Sequence, residues 1–206
     1  MACVIFGAGD FSGLRHTSAK DDYVLAADAG WYHCRRAGLV PDLLLGDFDS
    51  LAEVPDFGNI RRVPVRKDDT DMMLAIKEGL ARGETLFHIY GGMGGSRTDH
   101  TLANLQALLY LARRGARGWL YGTRERYTAL CGGTITLPEQ EGIFSLFCMG
   151  RAVQGLSIAG GDYALAEAEL SPEFPLGVSN HFVGRDVVIS LSRGDLVIGI
   201  RDGDGL

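Results

Sequence analysis

No stretch of this 206-residue sequence approaches the roughly 20 uninterrupted apolar residues that a membrane-spanning helix needs. The opening residues, Met1-Ala2-Cys3-Val4-Ile5-Phe6, lack the basic segment of a secretion signal, so a cytoplasmic protein without a membrane partner is expected. Basic residues are in deficit, 20 Lys and Arg against 26 Asp and Glu. The formal net charge of −6 comes with no clustered basic face, which argues against a nucleic-acid partner. Cysteine is scarce too. Cys3, Cys34, Cys131 and Cys148 stand far apart without a C-x-x-C pair, and three of them lie inside apolar runs. Buried or inert thiols are expected, rather than disulfides or zinc ligands. What remains is an ordinary globular composition, 46% apolar and 22% charged, able to bury a sizeable core.

Up to about residue 125, short apolar runs alternate with segments of helical period, the pattern of parallel βαβ units. The runs cover 2–6, 23–27, 43–45, 62–65, 86–90 and 119–121, with Pro64 confining the fourth to a sheet edge or an irregular segment. Met73, Ile76 and Leu80 repeat at helical spacing behind a Thr70 or Asp69 cap, and Gly83 can close that helix. Leu102, Leu105, Leu109 and Ala112 form a second helical face, followed by Arg113, Arg114 and Gly115. From residue 126 the helical period stops. Glycine-separated β-prone runs follow at 133–137, 143–149, 152–158, 163–170, 186–192 and 195–200, with 139–142 and 192–195 reading as hairpin turns. The expected fold is therefore α/β: an N-terminal, mostly parallel sheet flanked by helices (1–125) and a C-terminal all-β domain (126–206).

Acidic residues collect where the predicted strands end. Asp28 follows YVLAA, Asp47 and Asp49 follow LLLG, and Asp68, Asp69 and Asp71 follow RVPVRK. In an open α/β sheet the carboxyl edge is where ligands bind. Carboxylates gathered there repel one another unless a cation neutralises them, and oxygen-only ligands suit Mg²⁺ on substrate phosphates. Asp47 and Asp49, separated by one residue, face the same way in extended backbone, as two ligands of one metal would. Aspartates also serve as caps and turn formers in βα loops, which explains any one of them better than the set.

A second concentration is Gly91-Gly92-Met93-Gly94-Gly95-Ser96-Arg97-Thr98-Asp99-His100, between a predicted strand and a predicted helix. Backbone this rich in glycine can approach a polyphosphate, and the helix behind it offers free N–H groups. The run matches neither a Walker loop nor a G-x-G-x-x-G fingerprint. Arg97 is then the natural cation for the transferred phosphates. A plain turn with Asp99 as helix cap is the competing reading. His100 can be a general base or a hydrogen-bonded structural residue, and Asn104 lies one turn further along the same helix face.

Five segments together resemble the thiamine pyrophosphokinase family: ADAG at 27–30, PDLLLGDFDS at 41–50, KDDTD at 67–71, GGMGGSRTDHTLAN at 91–104 and GVSN at 177–180. The resemblance implies a β-sandwich second domain and a homodimer whose sites combine the α/β part of one copy with the β part of the other. It implies ATP as co-substrate, Mg²⁺ as metal and thiamine as acceptor. By position, Asp28, Asp47, Asp49 and Asp71 look like the carboxylates around metal and diphosphate. Lys67, Arg97, Asp99 and Asn104 look like nucleotide or phosphate contacts, Ser179 looks like the residue that binds the aminopyrimidine of thiamine, and Asn180 is its neighbour. Asp71, Arg97 and Asp99 are the catalytic candidates. The activity so implied is transfer of diphosphate from ATP to the hydroxyl of thiamine. Three rivals stand beside it: a diphosphokinase for another hydroxyalkyl heterocycle such as a pterin, a D-x-D phosphatase with Asp47 as nucleophile and Asp49 as acid, and a thiamine- or nucleotide-binding protein without catalysis.

Overall fold

In the computed structural model, which describes residues 1–49, 51, 53–66 and 68–203, the chain forms two compact units. The first comprises Met1–Ala107 and Ala116–Thr123; the second comprises Leu108–Gly115 and the chain from Arg124 onward.

The first unit is a parallel sheet built from β1 (Cys3–Phe6), β2 (Tyr23–Ala27), β3 (Leu43–Gly46), β4 (Ile60–Arg62), β5 (Leu86–Tyr90) and β6 (Arg117–Tyr121). Its strand order is β6-β5-β1-β2-β3-β4. Residues of β1 and β2 are buried throughout, as strands covered on both faces must be. Alternation of side chains along the strands assigns the covering layers. Helix α1 (Gly30–Arg36) contributes Cys34 to a cluster with Val4, Phe6, Val24, Ala26 and Leu44. Helix α2 (Asp71–Ala81) meets the opposite face, where a Cβ on its Gly79 would collide with Phe87 and Cys3. Helix α3 (Thr98–Ala112) connects β5 to β6. The Thr70 side chain caps α2, accepting from Met73 N at 3.1 Å, and Gly83 N closes it onto Leu80 O at 2.9 Å. The fourth strand lies two residues earlier than its apolar run suggested. Val63 N still bonds Gly46 O at 3.0 Å, and the ladder stops before Pro64, which has no N–H to give. Alpha-1 carries no clear period because it is only seven residues long and starts at glycine.

The second unit is a sandwich of antiparallel strands. One layer joins β7 (Glu125–Leu130), β9 (Gly142–Cys148), β12 (Gly177–His181) and β14 (Leu196–Asp202) in the order β12-β9-β14-β7. The other joins β8 (Gly133–Leu137), β10 (Val153–Ala159), β11 (Leu165–Leu170) and β13 (Val187–Leu191) in the order β11-β10-β13-β8. Inward residues alternate with outward ones, as in β13, where Val187, Ile189 and Leu191 are buried and Val188 is exposed. Neither expected hairpin forms. Residues 139–142 and 192–195 each join strands of different layers, β8 to β9 and β13 to β14. The second of these turns ends on Asp195, which is completely buried. Its carboxylate accepts from Arg113 Nη2 at 2.6 Å and from Arg151 N at 2.7 Å. Burial pushes the Asp195 carboxyl upward, but the two guanidiniums outweigh it and hold the group well below the usual carboxylate range. A buried ionic pin of this kind belongs to a layer crossing, not to a solvated hairpin tip. The four cysteines are free; Cys3 and Cys34 are buried, Cys131 and Cys148 partly so. Burial raises all four thiols, Cys34 to about 12 and Cys131 to about 11.

Candidate active site

Strand order in the first unit reverses direction between β1 and β5, and the crevice outside the carboxyl ends of such strands is where open α/β sheets take ligands. A cleft of about 570 Å³ lies there. Four loops supply its walls: Gly7 to Gly9 after β1, Asp28 after β2, Asp47 and Asp49 after β3, and the glycine-rich loop after β5. Thr70, Asp71 and Met72 at the start of α2 complete it.

On the acidic side, one oxygen each of Asp28, Asp47 and Asp49 lies within 4.8 Å of the others. Local backbone brings them together at a cost. Asp28 and Phe48 both adopt left-handed conformations, φ 49° and 67°, which side-chain-bearing residues rarely hold without a reason. Phe48 N donates to Asp28 Oδ1 at 2.9 Å and fixes both loops at once. Gly46 must be glycine here, because a Cβ would fall on the Asp28 carboxylate. Asp49 N donates to Asp47 Oδ1 at 3.2 Å. Burial, followed by the negative charges of Asp71 and Asp47, raises the Asp28 carboxyl to about 7, and Asp28 shares a hydrogen bond with Asp71. Two carboxyls can share a hydrogen bond only when one keeps its proton, so the cluster is short of positive charge. Its donor set is carboxylate oxygen alone, hard and anionic, and fits a magnesium ion better than a softer metal.

On the opposite side, Gly91, Gly92, Gly94, Gly95, Ser96 and Arg97 line the cleft, with Asn104 behind them. Asn104 is buried, and its Nδ2 donates to Gly92 O at 2.6 Å, so it also holds the loop. Arg97 pairs in a fork with Asp99, Nε to Oδ1 at 3.0 Å and Nη2 to Oδ2 at 2.7 Å. The guanidinium holds the Asp99 carboxyl down to about 2. Both side chains are more than 60% exposed, so water already competes with this pair and a phosphate can replace the carboxylate readily. Asp99 itself is not among the residues lining the cleft, whereas His100 is. Lys67 lies outside the described residues.

The remaining two candidates belong to the second unit. A register shift between Gly177 and Asn180 breaks the β12 to β9 ladder, and Ser179 sits in it at φ 63°. Its N–H donates to Ser145 Oγ at 3.0 Å. Asn180 is buried and spent on its own unit, accepting from Tyr163 N at 3.0 Å and donating to Tyr163 O at 2.7 Å. That clamp presents Tyr163, 66% exposed, while Phe182 packs edge-on against Phe144. Three of the four left-handed non-glycine residues among the described ones, Asp28, Phe48 and Ser179, thus fall within motifs singled out by sequence.

Comparison with known proteins bears on both units. The family model for the thiamin pyrophosphokinase catalytic domain matches residues 14–120, and that for the thiamin pyrophosphokinase vitamin B1 binding domain matches residues 134–196. The chain belongs to the thiamin pyrophosphokinase family. It is accordingly an enzyme, a diphosphotransferase with ATP as co-substrate. A thiamine pyrophosphokinase of Bacillus subtilis is 25% identical over 198 residues, covering 91% of this chain and 92% of that protein. The crystal structure of the thiamin pyrophosphokinase from Geobacillus thermodenitrificans superposes with a TM-score of 0.87 at 25% identity, over 100% of this chain and 99% of that one. That from Bacillus subtilis superposes at 0.88 with 22% identity over the full length of both, a likeness of fold. Gly7, Ala8 and Gly9, which match the family's glycine-rich start only loosely and were given no role by motif, also line the cleft. Their position directly after the first apolar run was the available signal.

Proposed function

We propose that the protein is a cytoplasmic, magnesium-dependent thiamine diphosphokinase that works as a homodimer. The observation that carries this reading is one cleft, at the sheet's reversal point, with a carboxylate cluster on one wall and a glycine-rich loop bearing Arg97 on the other. Residues 1–125 are assigned to ATP and metal, and residues 126–206 to thiamine through Ser179.

Asp28, Asp47, Asp49 and Asp71 would hold the metal. When bound there, magnesium supplies positive charge against the ATP phosphates. The backbone of 91–96 lies along the polyphosphate and Arg97 leaves Asp99 to place its fork on the transferred group, where negative charge grows as the thiamine hydroxyl attacks the β-phosphorus in line. AMP departs with the electrons of the broken phosphoanhydride bond. Asp71, which lines the cleft, accepts the hydroxyl proton late; Asp99 is not among the lining residues. Positioning and electrostatics thereby do most of the catalysis.

Incubation with ATP, Mg²⁺ and thiamine, with and without EDTA, tests the assignment by chromatography of the products. Thiamine diphosphate and AMP are expected in equal amounts, only without EDTA. ADP or free phosphate in place of AMP would overturn it. Sedimentation at micromolar concentration should give twice the 22.2 kDa chain mass.

A further inference from the structure

We infer that Asp10 is a positioning residue for ATP: it sets the shape of the phosphate-facing loop without touching the nucleotide. The inference rests on the reading of the cleft as an ATP site. Three main-chain hydrogen bonds continue the β1 to β5 pairing beyond the strands: Gly7 N to Tyr90 O at 2.8 Å, Gly9 N to Gly91 O at 2.7 Å and Asp10 N to Met93 O at 2.7 Å. The Asp10 side chain then extends that ladder by one more partner, its Oδ1 accepting from Gly95 N at 3.2 Å. It meets the loop at its softest corner, where Gly94 and Gly95 are both left-handed, φ 72° and 67°. A Cβ on Gly94 would collide with the Asp10 carboxylate, so the two chains are in close contact.

Two adjacent glycines in one fixed conformation lose more backbone freedom than any other pair would, and whatever fixes them before the ligand arrives lowers the cost of binding. Asp10 is itself fixed from below. Phe11, the next residue, packs against Phe6 at 5.7 Å, Tyr90 at 5.8 Å and the His33 ring at 5.3 Å, while His33 Nε2 lies 2.7 Å from Gly9 O. Asp10 does not line the cleft, and its negative charge would be an odd choice for direct contact with phosphates. What the position needs is an acceptor.

The test compares Asp10→Ala and Asp10→Asn, since asparagine keeps the acceptor oxygen and drops the charge. Asp10→Ala should raise KM for ATP roughly five- to tenfold, the scale of one lost hydrogen bond, and leave KM for thiamine and Tm close to the parent values. Asp10→Asn should restore KM for ATP to within about twofold. Amide exchange of the peptide spanning 91–97 should quicken in the alanine variant alone. An unchanged KM for ATP, equal rises in both KM values, or an asparagine variant as impaired as the alanine one would each overturn the inference. A parent protein that forms no AMP would sink the functional reading instead. Amide exchange then decides for Asp10 by itself, unchanged exchange in the alanine variant overturning its role.

Discussion

Replacing Asp28 by asparagine should make the metal-free enzyme more stable and less active. In the parent, Asp28 is half-buried, crowded by Asp47 and Asp71, and raised from 3.8 to about 7. Folding therefore favours its protonated form. The penalty is absent below the unfolded value near 4, grows as pH rises and is complete above about 7. Taken at face value a rise of that size corresponds to a ceiling of about 4 kcal/mol, and half-exposure to screening solvent reduces it to about 1–2 kcal/mol. Asparagine fits both contacts: its oxygen can accept from Phe48 N as Asp28 Oδ1 does, and its amide can donate to Asp71. For a chain of this length that gain is a Tm increase of roughly 3–6 °C at pH 8 in EDTA. At pH 5, where Asp28 is already neutral, most of the increase should vanish, and Mg²⁺ should erase it at pH 8 by relieving the parent. Differential scanning fluorimetry at both pH values, with and without Mg²⁺, reads all four conditions. A Tm increase equal at pH 5 and pH 8, or a decrease at pH 8, would refute the repulsion argument.

Other substitutions separate the parts of the site. Asp49→Asn should lower turnover at saturating Mg²⁺ by well over tenfold while Tm in EDTA is unchanged or higher, measured by AMP release. Arg97→Ala should reduce kcat about a hundredfold, the scale of losing one preorganised charge donor, with Tm within a degree or two because the side chain is exposed. Thr70→Ala removes the cap of α2 and should cost about 1 kcal/mol in urea unfolding. His88 contributes a loss of stability as pH drops from about 6.5 towards 4, opposite in sign to the Asp28 effect. Burial, with His16 stacked 3.9 Å away, lowers His88 to about 4, so the unfolded chain binds the extra proton first and His88→Phe should flatten this acid limb.

The parallel sheet was legible because buried strands such as YVLAA and LFHIY are unbroken apolar runs, and the carboxylates were legible because each follows one of them. The second unit was less so. β7 and β12 escaped notice since ERYTAL and GVSNH alternate weakly, and β12 holds Ser179 in a register break that no period describes. The turns at 139–142 and 192–195 have the composition of hairpins, and composition is silent on whether the chain returns to its own layer. Strand pairing shows both crossings, and at 192–195 the burial of Asp195 between Arg113 and Arg151 goes with it. Within the site, sequence grouped Arg97 with Asp99, and the fold pairs their side chains while only Arg97 of the two lines the cleft.

The state of the four thiols carries a practical consequence. Alkylating agents and peroxides attack thiolates, and a thiol raised to about 11 or 12 presents almost none at neutral pH. None of the four cysteines borders the cleft. Diphosphate transfer should therefore proceed unaltered in the presence of iodoacetamide or mild oxidant, and synthesis of the product cofactor would continue through oxidative episodes that silence enzymes built on an active cysteine.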